Sequence, residues 1–461
     1  MKKFTKIFIC LLLCVFGFGL VACGDDRTPK EKNFVYPTSG DETIGNDGLA
    51  VQKGNYIYFV NGYKSVKDIT NKKDSYVVGS LMLLKLDQNG NVVLDDDGLV
   101  EDDYYITMSS ALCGYQVTNL HIFGDYLYFA TPCLENESGD KVWAKERVEF
   151  KRIKLNKTGK VETVYSSGVK FDQLEYDFYE QNGNLYILCW EKGDSYYSEN
   201  GNNALIRVDA TASSSSVIAN NVSSVVFENT SSEIFYVKDV DSRFELKQYD
   251  IASNQTTDYT SFEESVTAKF AGQGKVYIST SHTIDSKTYT DVKASTIATK
   301  SGFEDVYSYE SGELDITVDG AALVHVDGKV ISLIRAKNDV VKITDESATT
   351  IKVIGYVNGC VVYYETTDSN SNIKMVSYNN ALNGDVAEIT TLTTVSSFEE
   401  DFAYFDVDDG YMYFYQKQGE NYYLHRIKIN NNLGETEEMI GEYLEADEPV
   451  VEDDDDDEDD D

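Results

Sequence analysis

Gly54-Asn55-Tyr56-Ile57-Tyr58-Phe59 returns as Gly124-Asp125-Tyr126-Leu127-Tyr128-Phe129 and again as Asn182-Gly183-Asn184-Leu185-Tyr186-Ile187. Weaker copies follow at Ser232-Glu233-Ile234-Phe235-Tyr236, Gly274-Lys275-Val276-Tyr277-Ile278, Asp327-Gly328-Lys329-Val330-Ile331 and Asn358-Gly359-Cys360-Val361-Val362-Tyr363, and the last at Asp409-Gly410-Tyr411-Met412-Tyr413-Phe414. A glycine beside Asn or Asp, set between two apolar runs, supplies the positive φ of a tight hairpin turn. The β-branched and aromatic residues after it suit a pleated strand buried on both faces. The strand before the turn is legible in Leu120-His121-Ile122-Phe123, Val225-Val226-Phe227 and Phe402-Ala403-Tyr404-Phe405.

Working outward, a second phrase follows most copies: an alternating strand, an Asp or Asn, a polar turn and another strand. Leu84-Lys85-Leu86-Asp87 before Gly90-Asn91-Val92 is one example, and Leu246-Lys247-Gln248-Tyr249-Asp250 opens another. Alternation of this kind marks a strand with one wet face. Two hairpins make a four-stranded unit, and radial repetition of such units is the β-propeller, which leaves only short protected edges. The expectation is an all-β propeller of about eight four-stranded blades. One short interval, from Ile331 to Val362, leaves seven open. A stacked pair of β-sandwiches is the alternative, though sandwiches do not ordinarily repeat one hairpin phrase eight times. Asn61–Val78, Thr131–Glu146 and His282–Ile297 read as longer loops on the propeller faces.

The chain begins Met1-Lys2-Lys3-Phe4-Thr5-Lys6, continues as an apolar run from Ile7, and reaches Leu20-Val21-Ala22-Cys23. The run is shorter than the roughly 20 residues that span a bilayer as a helix, so it reads as a signal h-region. Leu-Val-Ala-Cys resembles the lipobox of bacterial lipoproteins. That resemblance implies cleavage before Cys23 and diacylglycerol on its sulfur. The expected organisation is a signal peptide over 1–22, a lipidated cysteine and flexible linker over 23–48, the propeller over 49–446 and an acidic tail over 447–461. With the repeat phrase, the chain resembles propeller lipoproteins of low-GC Gram-positive bacteria and, more loosely, TolB-like propellers. The resemblance implies an extracytoplasmic, membrane-anchored protein and carries no catalytic residues with it.

The formal charge is −39, of which the residues between the signal and the tail carry −30. Nucleic-acid binding needs clustered Lys and Arg to displace counterions, so that function class is excluded. Of seven cysteines, Cys10 and Cys14 leave with the signal and Cys23 takes the lipid. Four in so long a body make no disulfide scaffold. Gly124 centres a hairpin between Cys113 and Cys133, which puts the two near facing positions and makes them a candidate disulfide. Cys189 and Cys360 lie among apolar residues and read as buried thiols.

Chemistry-bearing patterns are sparse. His121, His282, His325 and His425 fall in different repeats with no carboxylate or cysteine at ligand spacing, so they read as strand or loop histidines. No nucleophile elbow, dinucleotide fingerprint or P-loop occurs, and no cofactor is implied. Asp87, and Asp406 with Asp408, alternate oxygen ligands around a glycine as a Ca²⁺ loop does. Both lack the full calcium-loop spacing and sit where the repeat requires a plain turn, so turn chemistry is the reading adopted. Trp143, Tyr196 and Tyr197 lie outside the repeat phrase and are the candidate ligand contacts, since such rings serve apolar and polar contact together. The expected function is a binding or protein-interaction module for an extracytoplasmic protein or glycan. A carbohydrate-active enzyme with carboxylates in the propeller channel is the alternative, and a structural subunit of an envelope complex the third reading.

Overall fold

Every sheet is built from strands consecutive in the chain, and there are eight of them. The computed structural model describes residues 36–61, 80–94, 104–108, 119–132, 147–155, 161–170, 173–193, 203–227, 233–317, 320, 322–337, 339–345, 347–367, 371–385, 388–395, 402–408, 410–418, 421–429 and 438–441. Blades one to eight span 43–108, 121–166, 174–220, 222–262, 267–309, 313–342, 350–395 and 402–439. All have four antiparallel strands, and the first carries an extra short strand, Thr43–Ile44, against its first strand.

The arrangement is radial. First strands of neighbouring blades converge: Ala268 N–H donates to Ser224 Oγ at 2.9 Å, and a Cβ on Gly355 would meet Val407 at 3.0 Å. The fourth strand Gln255–Phe262 is mostly exposed and Glu304–Tyr309 has no buried residue, while second strands such as Asn184–Glu191 are buried almost throughout. That is the gradient of a propeller from axis to rim, and it excludes the paired sandwich.

The phrase works as its residues require. At Asn182–Gly183, Gln273–Gly274 and Asn358–Gly359 both central residues have positive φ, the geometry of a two-residue hairpin that matches strand twist. The aromatics of the phrase fill the wedges between blades, and some of their hydroxyls cross from one blade to the next. Tyr58 donates to Leu155 O at 3.1 Å, and Tyr415 to Val60 O at 3.0 Å.

One copy sits elsewhere. Asp327–Ile331 connects the second and third strands of blade six, where the other copies connect first and second. The equivalent turn of blade six lies between Ile316 and Leu323, with Gly320 at φ 67° against Gly272 of the blade-five turn. The short interval therefore reflects a displaced phrase, and the blade is complete. His282–Ile297 is also no loop. It belongs to a hairpin of two ten-residue strands, Lys275–Ile284 and Lys287–Thr296, whose tip outruns the pairing on either side. Segments 62–79 and 133–146 lie outside the described residues. Cys189 is fully buried as expected, but Cys360 is only partly buried, because it opens its strand directly after the Asn358–Gly359 turn.

Connections in an antiparallel four-strand meander alternate between two faces. The first-to-second and third-to-fourth connections share one, which we call the turn face. Leu86 N–H donates to Asn55 O at 2.8 Å, and Leu155 N–H to Asp125 O at 2.9 Å. The second-to-third and fourth-to-first connections share the loop face, where Lys192 N–H donates to Gln173 O and Asp239 N–H to Asn221 O, both at 2.8 Å.

Among the described residues no strand is exchanged to close the ring. Blade eight meets blade one through side chains: Leu49 N–H donates to Asp406 Oδ2 at 2.9 Å, and Arg426 Nη2 to Gly90 O at 2.8 Å. A shared core of Ile57, Phe59, Met82, Tyr413, Tyr415 and Leu424 lies behind them.

Candidate functional site on the inner strands of blades one to three

The first strands of blades two and three are His121–Phe123 and Leu174–Gln181. Even-numbered side chains of the latter face blade two, odd-numbered ones blade four, by the period of two along a strand. Phe178 thus stacks on the His121 ring, with centroids 4.8 Å apart. Glu180, on the same side, accepts from His121 Nε2 at 3.1 Å. Asp47, which precedes the first strand of blade one, accepts from His121 Nδ1 at 2.8 Å.

Both ring nitrogens face acceptors, so both must carry protons and the ring is an imidazolium. Burial alone would push His121 down. The hydrogen bonds to Asp47 and Glu180 outweigh it and hold the ring up at about 9. In return the His121 hydrogen bond lowers Glu180.

Asn46 completes the clasp. Its side chain accepts from Ile122 N–H at 2.8 Å and donates to Ile122 O at 3.0 Å, occupying the open edge of blade two's first strand as a neighbouring strand would. On the opposite side of the blade-three strand, burial and then the charge of Asp47 raise Asp177 to about 7, against hydrogen bonds from Phe178 N–H and the Tyr179 hydroxyl.

The arrangement is therefore a charged clasp joining three blades. Its imidazole has no free base nitrogen, and Asp177 and Glu180 point to opposite faces of one strand, so they do not form an acid–base pair across a common substrate. Among the described residues, no group of three or more His, Cys, Asp or Glu side chains converges to hold a metal ion.

Sequence reasoning missed the clasp because its parts are 59 and 74 residues apart in the chain. A histidine at the very start of a repeat's inner strand was the available signal. The other histidines are separate. His282 contacts Asp291 at 2.6 Å on the long hairpin, His325 bonds Tyr307 and Ser311 O, and His425 stacks on Phe414.

Asp87 is occupied by its own turn: its Oδ1 accepts from Asn89 N–H at 2.7 Å and Asn91 N–H at 2.9 Å. Asp406 accepts from Leu49 at the ring seam, and Asp408 ends the same strand. Cys23, Cys113, Cys133, Trp143, Tyr196, Tyr197 and the tail lie outside the described residues.

No protein-family model matches the chain, and a search of curated proteins finds no match. Solved structures do. The chain is similar to the β-propeller domain of the trilobed protease from Pyrococcus furiosus, which has an open velcro topology. Identity is 13%, coverage is 71% of this chain and 97% of that one, and the TM-score is 0.47. It is also similar to TolB from Acinetobacter baumannii at 11% identity, covering 66% and 77% of the two chains with a TM-score of 0.32. An oligogalacturonate lyase in complex with manganese follows at 11% identity, covering 59% and 87%, with a TM-score of 0.41.

Proposed function

We propose that the chain is a lipid-anchored extracytoplasmic propeller acting as a binding or protein-interaction module. The observation that carries the reading is that three neighbouring blades send long connections out from the same face. The second-to-third connections of blades one, two and three each exceed ten residues and, by the alternation of a meander, leave their strands on the loop face, while the longest exception on the turn face is the third-to-fourth connection of blade one, 86–103. A rigid scaffold with variable-length connections grouped on one side is the usual architecture of a recognition surface. The charged clasp supports the reading by holding those three blades together at the axis.

Anchoring rests on the Lys-rich start, the apolar run and Leu20-Val21-Ala22-Cys23. A diacylglyceryl group supplies two chains, enough for stable attachment at about 0.8 kcal/mol per buried CH₂. Cys23→Ser should abolish labelling by a palmitate analogue and leave the precursor unprocessed. Equal labelling of variant and wild type would defeat the anchor. Pull-down from membranes, run beside a glycan array, tests the binding role, and absence of any captured protein or glycan counts against it.

One observation favours the enzyme alternative: Asp177, a carboxyl held near neutrality on the inner wall, is the kind of group that serves as a general acid. It lacks a partner carboxylate on its own face. Hydrolysis of polymeric sugars by wild type, lost in Asp177→Asn, would establish that reading.

A further inference from the structure

Resting on the anchoring reading, we infer that the turn face of the propeller looks toward the bilayer and the loop face looks away from it. The direction is set by where the chain joins the ring. Gly54, in the first hairpin turn, donates its N–H to Glu42 O at 2.9 Å, and Asp41 packs against that same turn. Lys53 Nζ bonds Thr43 Oγ1 at 2.6 Å and reaches Ser39 O at 3.5 Å. Tyr36 packs with Tyr56, Tyr58 and Leu127 where blades one and two meet. Residues 36–43 are thus fixed against the turn face before the chain runs inward to Asn46, Asp47 and the clasp.

Only twelve residues, 24–35, separate the lipidated position, Cys23, from Tyr36. Fully extended, the thirteen Cα–Cα steps from Cys23 to Tyr36 reach at most about 45 Å. Bringing the loop face to the membrane would require that tether to pass around the rim. The path is about 25 Å of strand height plus the radius of an eight-bladed ring, which consumes nearly the whole contour and its entropy. The turn face needs no such detour.

Charge sets the stand-off. Asp87, Asp209 and Asp250 each begin a turn on this face, and the body as a whole is strongly acidic. An anionic lipid surface repels it, so the face is held opposite the bilayer without lying on it.

Blade five supplies a ruler. Lys275 and Thr288 are exposed, belong to one hairpin, and stand at its turn-face and loop-face ends, about 30 Å apart in height. The experiment uses the full lipidated chain in phosphatidylcholine–phosphatidylglycerol vesicles, with Cys113, Cys133 and Cys360 replaced by Ser. A donor dye is placed on Lys275→Cys or Thr288→Cys, and an acceptor on the lipid headgroups. Energy transfer should be several-fold stronger from position 275 than from 288. Equal or reversed transfer by protein that floats with the vesicles overturns the orientation and leaves the anchor standing. Protein that does not float defeats the anchor, and the orientation falls with it.

Discussion

His121 places a cation, held up to about pH 9, at the axis of a strongly acidic body. Its value above the ordinary imidazole range means that folding takes up a proton on the ring. The stabilisation is complete below about pH 6.5 and is lost as pH rises through about 9. Asp177 works in the same direction at lower pH. Raised to about 7, it favours the protonated carboxyl in the fold, so its penalty grows from about pH 4 and is complete above about 7. His121→Gln should cost on the order of 1–3 kcal/mol at pH 6, since it removes hydrogen bonds from a charged, buried group. Urea midpoints measured across pH should show the gap between this variant and wild type closing between pH 6.5 and 9. Asp177→Asn should instead raise stability relative to wild type, increasingly from pH 4 to 7. A gap that is flat with pH in either variant would sink the assigned protonation.

The single blade is the element that the sequence made most legible. Turn residues recur because a two-residue hairpin demands positive φ, and aromatics recur because each fills one wedge. Tyr128 is the direct case: it is 3% exposed and packs with Ala130, Phe150, Leu185 and Ile187 between blades two and three. Tyr128→Ala should cost on the order of 3–5 kcal/mol, read as a fall in the thermal midpoint. An unchanged midpoint would mean that the phrase is not core.

Blade six was legible only in part. Its phrase at Asp327–Ile331 is genuine turn chemistry used one strand later, and the turn that matters carries its own Asp319-Gly320 pair, unmarked because Ala321-Ala322 follows it in place of the aliphatic and aromatic residues of the phrase. Gly320→Ala tests this assignment. A Cβ there would stand 3.1 Å from Gly272 Cα in an already left-handed backbone, so a loss of about 1–3 kcal/mol is expected. The mirror substitution Gly328→Ala, at φ 90° in open space, carries the backbone cost alone and should be milder. The clasp was illegible for a different reason. Its members come from three repeats, and nothing local marks Asp47 or Glu180 as partners of a distant histidine.

At the scale of the whole ring, closure among the described residues runs through side chains, and Arg426 is central to it. Its guanidinium is fully buried, pairs with Glu438 at 2.7 Å, reaches Gly90 O across the seam and lies over the Tyr411 ring. Removing one partner of a buried pair leaves the other uncompensated, so Arg426→Gln should cost on the order of 3 kcal/mol. The acidic tail should matter far less. Residues 447–461 contain one apolar pair, Val450-Val451, and twelve acidic residues. Packing them would bury too little apolar surface to offset the entropy of ordering the segment. Deleting 447–461 removes twelve charges of the sign the body already carries in excess. At low salt the truncated chain should therefore melt at the same temperature as wild type or slightly above it, with the difference vanishing as salt screens the repulsion. A truncation that melts well below wild type at every salt concentration would mean that the tail packs against the ring.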